Sequence, residues 1–206
     1  METDSRYPIP AGTHRAEEEI KRSRFISTVT YAPTVEEAKA FVEEIRTEFA
    51  DASHSCWAYL VGRPGSSGQV GMSDDGEPHG TAGRPMLGVL VHSGVGDIAA
   101  VVTRYFGGTK LGKGGLVRAY TGGVQAALGT LPLKEHIVYA RATVVVAYPH
   151  AGAVRRLLPE FEVETEQETF AADVELRLRL PCERLAELEL ALNEVTNGQV
   201  LVEEIA

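Results

Sequence analysis

The sequence predicts two mixed α/β (α+β) domains, residues 1–133 and 134–206, and three observations carry that prediction. Segments in which apolar residues recur with helical spacing are interspersed with segments that alternate apolar and polar residues, so helices and half-buried strands are both present. The stretch LPLKEH, residues 131–136, breaks the pattern with a proline and reads as a connection. Charge differs on its two sides: residues 1–133 carry 13 Lys and Arg against 15 Asp and Glu, net −2, whereas residues 134–206 carry 7 against 14, net −7. With 206 residues, 44% of them apolar, each half can bury a core, and disorder is expected only at the termini.

Residues 13–31 predict two strands that turn at the basic cluster Lys21, Arg22 and Arg24, with Phe25, Ile26 and Val29 as apolar positions of the second. Thr34 and Glu37 have capping-box spacing, and Val35, Ala38, Phe41, Val42, Ile45 and Phe49 share one face of the helix that follows. SCWAYLV, residues 55–61, is strand-like and leads into the Gly-, Ser- and Pro-rich segment GRPGSSGQVG. Pro85 suits the first turn of a helix through Met86, Leu87, Leu90 and Val91, ended by Gly94 and Gly96. An apolar strand follows from Ile98, then a glycine-dense turn from Gly107 to Gly115. Helical spacing resumes at Leu116 with Val117, Tyr120, Val124 and Leu128.

The second half opens with a β-branched strand, residues 139–148, and a short helix, residues 151–158. Val174, Leu176, Leu178 and Leu180 alternate with Glu175, Arg177 and Arg179, while Phe161, Val163 and Thr165 alternate with Glu162, Glu164 and Glu166. Residues 161–168 and 170–180 are therefore expected to form a hairpin with one buried and one solvated face. Pro181 starts a helix striped by Leu185, Leu188, Leu192 and Val195 and ended by Asn197 and Gly198, and Val200 to Ile205 forms the last strand. The order βαββαβ predicts a ferredoxin-like sandwich.

The sharpest chemical signal lies between Ile98 and Lys134, where there is no Asp or Glu. Arg104, Lys110, Lys113, Arg118 and Lys134 therefore lack local counter-charge in a protein of net charge −9. A strand, a glycine turn and a helix start together present unpaired backbone N–H groups and the positive end of a helix dipole, which suits an anion. The candidate anion or nucleic-acid site comprises Arg104, Gly107, Gly108, Lys110, Gly112, Lys113, Gly114, Gly115 and Arg118. Residues 107–113 also fit G-x-x-x-x-G-K. Gly114, however, stands where a phosphate loop needs Ser or Thr for magnesium, and no second strand ends in an acid, which argues against an NTPase. The structural alternative is that the glycines serve tight packing and the cations are simply solvated.

SDDGEPHGTAGRPML, residues 73–87, is the second informative stretch, and Asp74, Asp75, Glu77, Thr81 and Arg84 form a candidate accessory loop. Its carboxylates could hold a divalent cation or act as an acid and base. They could equally bond their own backbone, or pair with Arg84 and Arg104. No histidine or second carboxylate cluster completes a metal pattern, so no metal, cofactor or catalytic residue is assigned. His54 and Cys56 suggest a base and nucleophile, but a cysteine in an aromatic strand is more often core. Tyr59, Tyr105, Phe106 and Tyr120 could stack on bases, and strand alternation lets at most one of Tyr105 and Phe106 face the way Arg104 does. The longest apolar run, Ile98 to Val102, is far short of a membrane span, and METDSRYPIP has no export-signal pattern. Two separated cysteines suit a reduced compartment, so a cytoplasmic location and no membrane partner are expected.

SDDGEPHGTAGRPML at 73–87 and VVTRYFGGTKLGKGGLVRAY at 101–120 resemble the two signature stretches of the YigZ/IMPACT family. KRSRFI at 21–26 and HSCWAY at 54–59 sit where that family has similar segments, and the acidic second half resembles the carboxy-terminal domain of its bacterial members. The resemblance implies a left-handed βαβ fold for the first domain, like the second domain of the "S five" ribosomal protein and domain four of elongation factor G. It implies that the second domain is like a late ferredoxin-like domain of that factor. Eukaryotic members are translational regulators that interfere with activation of a starvation-responsive kinase on ribosomes, and they carry a further amino-terminal domain not seen in this sequence. The expected function is thus a non-catalytic, RNA- or ribosome-associated translation regulator. Two alternatives remain open: an enzyme acting on a small phosphorylated ligand between Asp75, Glu77 and the glycine turn, or an adaptor that docks protein through the second domain's sheet.

Overall fold

The computed structural model describes residues 6–65 and 68–205; part of the amino-terminal stretch and of the Gly/Ser-rich segment read above lies outside them. The chain divides into a unit spanning Tyr7–Glu135 and a unit spanning His136–Ala206, to which Arg6 also belongs.

The first unit contains β1 (Arg6–Pro10), β2 (His14–Ile20), β3 (Ser23–Tyr31), α1 (Val35–Glu48), β4 (His54–Val61), β5 (Gln69–Ser73), α2 (Gly83–Val91), β6 (Ile98–Tyr105), α3 (Lys113–Gly129) and β7 (Leu133–Ile137). Strands β2-β3-β6-β4-β5 make an antiparallel sheet in that order. Its middle strand, β6, is buried from Ile98 through Arg104, which is why it reads as an unbroken apolar run. Ala100 and Val102 face α2 and α3 together with Phe25, Cys56 and Leu60, while Ala99 and Val101 face α1. Thr34 caps α1 as expected, its Oγ accepting the Glu37 N–H at 3.1 Å.

Three departures from the sequence reading bear on the site. Helix α3 begins at Lys113, not Leu116, so Lys113, Gly114 and Gly115 form its first turn. The segment 62–71 contains the start of β5, and the presumed connection 131–136 contains most of β7, which pairs with β1. Glycine and serine in the first segment and proline and charge in the second hid both, because short strands owe their existence to a partner more than to propensity.

The second unit contains β8 (Tyr139–Val146), α4 (Tyr148–Leu157), β9 (Glu164–Phe170), β10 (Val174–Pro181), α5 (Leu185–Thr196) and β11 (Val200–Ile205), in the sheet order β11-β8-β10-β9 of a ferredoxin-like sandwich. Its core joins Val144, Leu176, Leu178 and Leu180 to Val154, Leu158, Leu188 and Leu192. The expected two-faced hairpin is half right. Every residue of β9 is exposed, because Phe161 is buried ahead of the strand in a 3-10 turn and the strand itself is an edge of Glu, Thr and Gln. Its carboxylates pair with Arg179, Arg141 and Arg155. Pro181 ends β10 rather than opening the helix, and Thr196, not Val195, completes the buried stripe of α5.

The glycines of the β6–α3 turn are not equivalent. A Cβ at Gly107 would lie 1.9 Å from the Arg22 carbonyl oxygen, whereas one at Gly114 would meet nothing within 4 Å. Gly107→Ala should therefore cost ~1–3 kcal/mol in denaturant unfolding through overpacking against backbone. Gly114→Ala should be neutral or stabilising by up to ~1 kcal/mol. Equal losses at the two positions would contradict this assignment.

Candidate functional site

Helix α3 starts without a side-chain cap. Gly112 occupies the N-cap position with φ 74°, the Leu116 N–H bonds the Gly112 carbonyl at 2.9 Å, and the first turn holds no acid. The N–H groups of Lys113, Gly114 and Gly115 precede that bond and find no partner among the described residues.

Beside this helix start lies a buried polar network. Glu77 is 8% exposed and Arg104 5%. One carboxylate oxygen, Glu77 Oε1, accepts from the Arg104 guanidinium at 2.5 Å and from the Tyr120 hydroxyl at 2.9 Å. A second Arg104 nitrogen reaches Ser23 Oγ at 3.3 Å, and the guanidinium lies 5.4 Å from the ring centres of both Phe25 and Phe106. The ion pair ties β6 to the 73–87 loop, to α3 through Tyr120 and to β3 through Ser23. Burial beside Cys56 and Glu77 holds the Tyr120 phenol well above its ordinary range.

The other two carboxylates are equally committed. Asp74 Oδ2 accepts the Gly80 N–H at 2.8 Å, and Oδ1 accepts those of Ala82 and Gly83 at 3.0 and 2.9 Å, so Asp74 caps α2 from eight residues upstream of its N-cap position. Asp75 binds Arg46 at 2.8 Å and the Ser55 N–H at 2.7 Å. Thr81 closes a local turn by donating its hydroxyl to the Pro78 carbonyl at 2.6 Å, and Arg84 is exposed. Among the described residues no group of three or more potential ligands could hold a metal. His54 and Cys56 point to different partners: Nδ1 donates to the Asp75 carbonyl at 2.8 Å, and the thiol donates to the Asp74 carbonyl at 2.9 Å. Burial pushes the Cys56 thiol up to about 12, which removes it as a nucleophile at neutral pH.

The cations therefore separate into two classes. Arg104 was expected among the exposed charges of the anion site, but it is buried and paired to a carboxylate distant in sequence. Lys110, Lys113 and Arg118 are exposed and make no ion pair with a described residue. The β2–β3 turn adds two more that the sequence reading assigned only to a turn. Arg22 donates to Thr109 Oγ1 at 3.1 Å, and Lys21 shares a hollow with Leu111, Gly115 and Arg118. The clustered basic residues KRSR were the signal available for them. Strand alternation also resolves the aromatic pair: Phe106 turns toward Arg104 and is 50% exposed, while the Tyr105 hydroxyl donates to Asp51 at 2.7 Å. Between these elements lies a cavity of about 420 Å³, lined by His54, Glu77, Arg104, Phe106, Lys110 and Lys113 among others.

Asp74 also gives the site a pH signature. Burial raises its pKa, but hydrogen bonds from Gly80, Gly83 and Ala82 outweigh that and hold the carboxyl below its ordinary 3.8. A depressed folded-state pKa means that the stabilisation is complete above the unfolded value and disappears as pH falls through the folded value. Asp74→Asn should cost ~1–3 kcal/mol near neutrality. In urea unfolding at a series of pH values, the gap between the variant and the native chain should close below about pH 4. A gap of constant size would show that the charge on Asp74 is irrelevant.

Comparison with known proteins fits this layout. Residues 21–128 match the family model of the Impact N-terminal domain, and residues 144–199 match a domain of unknown function (DUF1949). The chain is 44% identical to the IMPACT family member YigZ of Escherichia coli, over 93% of this chain and 94% of that protein. It is 39% identical to an IMPACT family member of Haemophilus influenzae, over 96% of each. A crystal structure described only as that of a hypothetical protein is 42% identical and covers 98% of both chains with a TM-score of 0.69. With a family-specific domain matched from β3 through the β6–α3 turn and nearly all of α3, and relatives aligned over almost their full length, the chain belongs to the IMPACT family.

Proposed function

We propose that the protein is a non-catalytic, cytoplasmic RNA-binding factor that acts on translation, and that the β6–α3 turn grips the phosphate backbone. The observation that carries this reading is charge placement. Arg15, Arg24, Arg46 and Arg104 are each held by a carboxylate, whereas Lys21, Arg22, Lys110, Lys113 and Arg118 gather around the uncapped start of α3 without an ion pair to a described residue. Fixed N–H donors and exposed cations around them make a surface for an extended polyanion, more than for a compact metal-bound ligand. Asp74 and Asp75 are engaged within the fold and Glu77 is paired with Arg104, which disfavours the enzymatic alternative. Membership in the IMPACT family, whose eukaryotic members regulate translation, supports the same direction.

Replacing Lys110 and Lys113 together with Ala should weaken binding to a single-stranded RNA about tenfold or more at low salt. It should also reduce the slope of log affinity against log salt by about 1.4, or ~0.7 for each lost phosphate contact. Filter binding across a salt series measures both quantities. Unchanged slopes would remove the two lysines from the surface, and absence of RNA binding by the native chain would end the proposal.

A further inference from the structure

We infer that the cavity beside the start of α3 seats one unstacked RNA base and prefers bases bearing an exocyclic amino group. This rests on the phosphate-binding reading of the basic rim, and adds what the open hollow behind that rim recognises. The cavity, about 420 Å³, has Pro78, Leu111 and Leu116 as apolar walls and half-exposed Phe106 as a further wall. That volume is within the range of small-ligand sites, and an aromatic face available to solvent is a stacking platform.

The polar groups in its wall define what fits. Glu77 Oε1 takes both of the carboxylate's hydrogen bonds, and Oε2 accepts none from a described residue, although the side chain is only 4% exposed. His54 spends its Nδ1–H on the Asp75 carbonyl, so in the neutral ring Nε2 is an acceptor. Arg104 Nε–H, a donor, is buried without a partner among the described residues, so the ligand edge that fits also carries an acceptor, as the ring nitrogen beside the amine of adenine or cytosine does. A carboxylate oxygen in the cavity wall that accepts no bond from a described residue offers a ligand N–H a charge-assisted hydrogen bond. Phosphate cannot do so, because it brings only acceptors and is repelled by the carboxylate; its place is at Lys110, Lys113 and the first-turn N–H groups. An exocyclic amine on a base stacked against Phe106 supplies the missing donor. Adenine, cytosine and guanine carry one; uracil does not, and its ring N–H is flanked by two carbonyls that would face the acceptors.

The test uses the full chain and labelled oligo(A), oligo(C) and oligo(U) of equal length, with fluorescence anisotropy at several salt concentrations. Oligo(A) and oligo(C) should both bind about tenfold tighter than oligo(U), the discrimination expected of one hydrogen bond to a charged group. Phe106→Ala, at a half-exposed position, should weaken oligo(A) and oligo(C) and abolish the preference while keeping the salt slope, and a urea melt of the variant checks that the Arg104–Glu77 pair it covers still holds the fold. The Lys110→Ala, Lys113→Ala double variant should weaken all three equally and keep the preference. Equal affinity for the three with a normal salt slope overturns the base seat, with or without an effect of Phe106→Ala, and leaves the phosphate surface standing. Binding to none of the three overturns both.

Discussion

The buried ion pair between Arg104 and Glu77 is the constraint on which the first unit's functional end depends. Charges taken this far from water are tolerated only when paired and further hydrogen-bonded, and removal of one partner from such a pair typically costs ~3–5 kcal/mol. Here the pair is completed by Tyr120 and Ser23 and sandwiched by Phe25 and Phe106. Because those residues come from β6, the 73–87 loop, α3 and β3, one electrostatic contact holds four segments in a common arrangement. The start of α3, with its unpaired N–H groups, is therefore delivered to one place by a rigid frame.

That frame also accounts for the division of labour among charges. Arg104 is spent inside, while Lys110, Lys113, Arg118, Lys21 and Arg22 remain on the rim without an ion pair to a described residue. The three carboxylates of the 73–87 loop are drawn into structure: one caps α2, one anchors Arg46 and the β4 backbone, and one neutralises Arg104. A loop rich in acids thus sits behind a basic rim without cancelling it, because each acid already has donors of its own.

The glycines of the β6–α3 turn serve different purposes. Gly107 is where backbone meets backbone, since the end of β6 packs on the Arg22–Ser23 peptide and its N–H bonds Ser23 Oγ at 3.1 Å. Gly112 supplies the left-handed geometry that turns the chain into α3. Gly114 answers to neither requirement, and its open surroundings leave room for something to approach the helix start closely.

From residue order alone came the βαββαβ rhythm of the second unit, the buried strand from Ile98, the Thr34 cap, and the concentration of uncompensated cations after Arg104. All of these are local: periodicity, capping and charge runs are written within a dozen residues. Tertiary structure alone decided which cations stay in solvent, because that depends on Glu77, 27 residues upstream of Arg104, arriving on the same face of the sheet. It also decided that Asp74 caps α2 in place of Ala82, that β5 and β7 exist as strands, and that β9 has no buried face. Each of these outcomes rests on a partner distant in sequence, whose desolvation, hydrogen bonding or edge position no short window of residues can express.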